Sequence, residues 1–131
     1  MHILSNQFTV NSTCDIILGY LSLPSNLEKI LPAERIHAFE ADQTQCSFKI
    51  QGGITISLVF VSRSEFGVRY KSGVNSPFPF ELKIDTEPLD NQCTGKLEFQ
   101  GETLPFIAMM AKGPLTALFN DMGKNLVAEF R

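Results

Sequence analysis

Residues 105–130 read PFIAMMAKGPLTALFNDMGKNLVAEF, and this stretch decides the fold. Ile107, Ala111, Leu115, Leu118, Met122 and Leu126 follow one another at steps of three and four. That spacing draws one apolar stripe along a single helix from Pro105 to Phe130. At roughly 1.5 Å per residue the helix spans about 39 Å, enough to cross a small sheet diagonally. Gly113-Pro114 falls inside it. Proline gives up one ladder hydrogen bond and crowds the turn before it, which predicts a kink there. The stripe has to be buried against an apolar wall.

The chain upstream supplies that wall in period two. Cys46, Phe48 and Ile50 alternate with Ser47, Lys49 and Gln51. Ile54, Ile56, Leu58 and Phe60 alternate with Thr55, Ser57, Val59 and Val61. Gly52-Gly53 between them predicts a turn or bulge. After a turn near Ser64, Phe66, Val68 and Tyr70 alternate with Gly67, Arg69 and Lys71. A loop over 72–77 leads to Phe78, Phe80, Leu82 and Ile84, and a turn over 88–91 leads to Gly95, Leu97 and Phe99. A strand over 35–41 comes first, and its phase is open: either Ile36 and Ala38 or His37, Phe39 and Ala41 face inward. Strands joined by short turns are antiparallel neighbours. Faces this one-sided put water on one side of the sheet and a helix on the other.

Before this meander, residues 3–10 predict a first strand with Leu4, Phe8 and Val10 on one face. Ser12 and Asp15 resemble a capping box that opens a short helix through Ile16, Ile17, Tyr20 and Leu21. Pro24 breaks that helix. Ser25 and Glu28 form a second box ahead of Leu27, Ile30 and Leu31, and Pro32 ends the second helix. Gly19 costs the first helix roughly 1 kcal/mol against Ala. Close approach of another backbone would account for it.

Composition bounds the function. The 131 residues are enough for one domain, 1–131, with a substantial core. Eleven Phe, two Tyr and no Trp favour a dry interior over a hydrogen-bonding one. The net charge is −3 and the basic residues are scattered, which speaks against nucleic-acid binding. No apolar run reaches the roughly 20 residues that cross a bilayer, and no signal peptide is visible, so a cytoplasmic location is expected. Cys14, Cys46 and Cys93 are then expected to be reduced thiols. With His2 and His37 as the only histidines, neither a metal site nor a cofactor is expected.

The order of a strand, two short helices, a meander and a long terminal helix resembles the START-like helix-grip fold. This superfamily (SRPBCC) holds lipid-transfer START domains, the birch-pollen allergen family and polyketide cyclases. The stretches 25–32, 46–50, 77–80 and Gly113-Pro114-Leu115 are similar to small bacterial members. The resemblance implies an α+β fold with a curved antiparallel sheet of about seven strands and the C-terminal helix packed across it. It also implies a cavity between the two that holds a hydrophobic molecule. Members that do chemistry carry ionisable groups in that cavity.

Few residues here offer such chemistry. His37 becomes a candidate base only if it points inward; an exposed histidine on an edge strand is the plainer reading. Glu40 and Asp42 form a potential carboxylate pair, explained as well by a turn and a solvent face. Cys46 shares phase with Phe48 and reads as a small buried hydrophobe, and Cys93 carries no activating pattern. Tyr70 offers a hydroxyl as a polar tip, inside a cavity or at its mouth.

The expected function is therefore binding of a small hydrophobic molecule, with no catalytic residue assigned. From the sheet, Phe48, Ile56, Leu58, Phe60, Val68 and Tyr70 are expected to touch it. Phe80, Leu82, Leu97 and Phe99 continue that wall, and Met110, Leu118 and Met122 contribute from the helix. The alternatives are a cyclase or hydratase using His37 or Tyr70, and a packed-core interaction module, with a homodimer through an edge strand as one form.

Overall fold

A computed structural model describes residues 1–131. The elements run β1 His2–Leu4, β2 Phe8–Val10, α1 Cys14–Leu21, a 3-10 turn Pro24–Asn26, α2 Leu27–Ile30 and β3 His37–Ala41. They continue with β4 Gln45–Lys49, β5 Thr55–Arg63, β6 Gly67–Ser72, β7 Phe80–Leu89, β8 Gln92–Gly101 and α3 Pro105–Glu129. One antiparallel sheet has the order β1-β8-β7-β6-β5-β4-β3, with β2 also paired to β8. This is the expected α+β helix-grip arrangement.

The inward positions meet one another across the ladders. Phe48 pairs with Ile56, Cys46 with Leu58, Tyr70 with Phe60 and Leu82, and Leu82 with Phe99. This register follows from the period-two pattern, since a slip of one residue would turn every apolar side chain to water.

Three departures from the sequence reading have local causes. The first strand is broken. Leu4 lies opposite Glu98 and Phe8 opposite Gly95, so four steps on one side match three on the other. Ser5 Oγ accepts the Leu97 N–H at 2.8 Å and holds the irregularity. The extra residue reverses the phase, so Ile3 rather than Leu4 is buried beside Phe8 and Val10.

In β3 a register shift between His37 and Glu40, with Ala38 at φ 57°, resolves the open phase as neither alternative. Ile36 and Phe39 pack against the core, while His37, Ala38 and Ala41 are exposed.

The helix caps also differ. Thr13, not Ser12, caps α1 by accepting the Ile16 N–H, and no side chain caps α2. Gly19 lies under the Arg63 side chain rather than against a backbone, with Arg63 Nη1 3.4 Å from the place a Cβ would occupy.

The turns otherwise follow their chemistry. Gly52 and Gly53 take φ values of 92° and 80°. Only glycine does this at no steric cost.

α3 runs unbroken through Gly113-Pro114. Gly113 has no Cβ to collide with the Pro114 ring, the clash that normally keeps a residue before proline out of a helix. The expected stripe is buried from Ala111 through Leu115, Leu118, Met122 and Leu126, joined by Phe119 and Gly123. The α3 backbone comes nearest to β1, β2, β8 and α2, while α1 and the 3-10 turn lie over β3 to β8. The covering layer is therefore shared, where the sequence reading gave it to α3 alone.

Candidate functional site

The space between the sheet and its covering helices is one contiguous apolar core. Of the expected contacts, Phe48, Ile56, Leu58, Val68, Tyr70, Phe80, Leu82, Leu97, Phe99, Leu118 and Met122 are buried in it, and Phe60 is partly buried against it. Met110 is not among them: it is 57% exposed and turned outward. It sits one residue before Ala111, and a helix turns about 100° per residue, which carries Met110 off the buried stripe.

Aromatic rings occupy the middle of this space. Phe78 lies edge-on to Phe99 with centroids 6.4 Å apart, Phe80 lies 4.8 Å from Phe99, and Phe119 of α3 lies 5.4 Å from Phe99. Phe60 meets Tyr70 at 5.8 Å, and Phe39 stacks on Phe48 at 6.4 Å. Such pairs add about 0.5–1.5 kcal/mol each beyond the area they bury. They also fill the volume that a guest would occupy.

The buried side chains include no Asp, Glu, Lys, Arg or His. Cys46 is 2% exposed, and burial pushes its thiol up to about 12. It is the inert small hydrophobe expected. Tyr70 is fully buried, so it neither reaches a mouth nor offers its hydroxyl to a guest. It donates to the Leu21 carbonyl at 2.6 Å. Burial, with Cys46 nearby, raises its pKa.

That bond belongs to a set that closes the end of α1. Ser22 Oγ donates to Leu18 O at 2.6 Å, and Asn26 Nδ2 donates to Tyr20 O at 3.0 Å. Leu18 O and Tyr20 O also accept the backbone N–H groups of Ser22 and Leu23, and the Tyr70 hydroxyl serves Leu21 O at the very end of the helix.

The other chemical candidates serve structure too. His37 stands exposed on the edge strand β3. Asp42 accepts the backbone N–H groups of Thr44 and Gln45 at 2.8 and 3.0 Å, forming the turn into β4. The Thr44 bond first, then the others, hold its carboxyl below the usual range. Glu40 and Asp42 border one polar surface cleft with Ser47 and Asn75, as turn and rim residues.

Cys14 and Cys93 form a disulfide, which corrects the expectation of reduced thiols. Their separation of 79 residues carries no local signal. Pairing of β2 with β8 sets Val10 opposite Cys93 and brings the start of α1 to the same place.

Several large apolar side chains stand exposed together at the start of α3, Met110 of the expected contacts among them. Leu104 is 61%, Phe106 60% and Met109 83% exposed, alongside Met110, at the start of α3. Ile107 in the same turns packs against the core, so this surface leads into the interior. Leu104 at the N-cap position makes no side-chain capping bond. No helix is long and apolar enough to cross a membrane.

Neither a protein-family model nor a curated protein matches the chain. Solved structures share its fold. A START superfamily protein from Mycobacterium smegmatis aligns with a TM-score of 0.73 at 14% identity, over 98% of this chain and 96% of the other. A protein from Bacillus thuringiensis aligns with a TM-score of 0.73 at 15% identity, over 99% and 98%. Norcoclaurine synthase from Thalictrum flavum, in complex with dopamine and hydroxybenzaldehyde, aligns with a TM-score of 0.64 at 17% identity, over 100% and 88%. The chain has the START-like fold, a fold that holds small organic molecules in at least one of these structures.

Proposed function

We propose that this protein binds a small hydrophobic molecule between the sheet and α3, and that the molecule enters by displacing the first turns of α3. The uncovered apolar surface of Leu104, Phe106, Met109 and Met110, continuous with the core through Ile107, is the observation that carries this reading. Flexible thioethers make an adaptable binding wall. Pro114 cannot donate to the ladder, which loosens the helix between its exposed first turns and its buried remainder.

With the core filled by rings, a guest must move Phe78, Phe80 or Phe119 aside. Affinity would come from the apolar surface it buries, at about 25 cal/mol per Å². No buried charge is present to orient a substrate, and Tyr70 is committed to Leu21, so binding is favoured over catalysis.

Native mass spectrometry of freshly purified protein tests the proposal, joined by NMR titration with a fatty acid, a sterol and an aromatic polyketide. Bound mass, or shifts confined to core and early α3 resonances, is the expected result. Apo mass alone with no shift from any of these probes would overturn it.

A further inference from the structure

The disulfide joins the first residue of α1 to the start of β8, and its two sulfurs have unlike surroundings. Cys93 is 0% exposed. Cys14 is 8% exposed and borders a surface cleft with Asp15, Arg63, Ser64, Glu65 and Phe66. A thiol in solution can approach the bridge only from the Cys14 side. Cys14 also stands in the first turn of α1, where free backbone N–H groups favour a thiolate. Arg63 is held at the same place by its ion pair with Asp15.

We propose that Cys14–Cys93 is a thiol–disulfide exchange site for small thiols of the glutathione class, with Cys14 the sulfur that exchanges and Cys93 the resolving partner. This stands apart from the ligand reading. A glutathione thiolate attacks Cys14 Sγ, the Cys14–Cys93 bond breaks, and Cys93 leaves as a thiolate that takes up a proton in its buried setting. A second glutathione thiolate attacks the glutathione sulfur of the mixed disulfide and releases Cys14 as a thiolate. Two thiols are oxidised to one glutathione disulfide, and the protein bridge is reduced by two electrons. Oxidation runs the same steps backwards.

Two effects compete over which sulfur is attacked. Attack on Cys93 would expel Cys14, whose sulfur leaves beside the free N–H groups of the first turn of α1. Access decides the other way, since Cys93 has no exposed surface. A bridge that opens and closes is compatible with the interior of a cell, where a static disulfide is rare.

The test incubates folded, oxidised wild-type protein with millimolar glutathione, traps thiols by alkylation and maps the peptides by mass. Glutathione is expected on the Cys14 peptide and absent from the Cys93 peptide, with Cys46 unmodified. In Cys93→Ser, incubated instead with glutathione disulfide, the Cys14 thiolate takes one glutathione and releases the other as a thiolate, and that adduct should accumulate, having no resolving thiol. The wild-type map stands whether or not that variant folds. A bridge that stays closed until denaturant is added, or an adduct on Cys93, overturns the proposal.

Discussion

The Tyr70 hydroxyl donates to the Leu21 carbonyl across 2.6 Å of dry interior, tying the middle of the sheet to the last residue of α1. A residue that reads as a polar tip for a guest is instead a strut between two layers.

Tyr70→Phe removes the strut and leaves Leu21 O without its partner. A loss of about 1–3 kcal/mol is expected, the cost of an unpaired buried acceptor. Urea unfolding checks it. An unchanged midpoint would mean that the bond contributes nothing. Affinity for an apolar ligand should change little.

Alkaline pH should unfold the protein through its buried acids. Burial raises the Cys46 thiol from 9.0 to about 12. Above 9.0 the unfolded chain has lost that proton and the folded chain keeps it, so the unfolded state binds fewer protons. The stabilising contribution is complete below 9.0 and is lost as pH rises towards about 12. Tyr20, raised from 10.0 to about 12 first by burial and then by Glu129, adds to the decline above 10.0. Cys46, buried in the core, contributes a slope of about 1.4 kcal/mol per pH unit over that interval, and the more exposed Tyr20 contributes less. Urea midpoints from neutral to strongly alkaline pH should fall later in Cys46→Ala than in wild type. An identical onset would contradict the assignment.

Gly95→Ala should be among the costlier small substitutions. Its Cβ would lie 2.7 Å from Asp85 O and 3.0 Å from Phe8 Cζ, where the backbone oxygen cannot step aside. Overpacking of this kind costs about 1–3 kcal/mol. A thermal midpoint equal to wild type would show that β7, β8 and β2 have more room than their spacing implies.

The triple variant Phe106→Ser, Met109→Ser, Met110→Ser should separate binding from folding. These side chains are exposed, so each change should stay within about 0.5 kcal/mol of wild-type stability. Binding of a fatty acid, followed by calorimetry, should weaken at least severalfold. Equal affinity would remove the first turns of α3 from the binding route.

Pro114→Ala restores an N–H donor inside α3. In a helix interior alanine is favoured over proline by about 3 kcal/mol, so a gain of up to that size is expected on denaturation. Stopped-flow uptake of a fluorescent fatty acid should slow as α3 stiffens. Unchanged uptake would place the opening elsewhere.

How far the sequence could be read varies residue by residue. The α3 stripe and the β4 to β8 alternation were legible because burial imposes a period on any element with one dry face, and those elements are long enough to repeat it. The plainer reading of His37 as an exposed edge-strand residue agrees with the structure. The phase of β3 and the outward turn of Leu4 were not legible, because one extra residue in β3 and another between β1 and β2 shift the phase, and a bulge leaves no periodic trace. The pairing of Cys14 with Cys93 was hidden for a different reason: it depends on β2 lying beside β8, a contact between the two ends of the chain.

By itself the amino-acid sequence determined which faces are dry, where the turns fall and that one long helix closes the fold, since each of these follows from the local spacing of apolar residues, glycine and proline. Only the tertiary structure decided that the core is filled by touching rings, that Tyr70 spends its hydroxyl on Leu21 and that two cysteines meet. Those outcomes depend on which side chains arrive at the same point in space, and distance along a chain does not set distance across a fold.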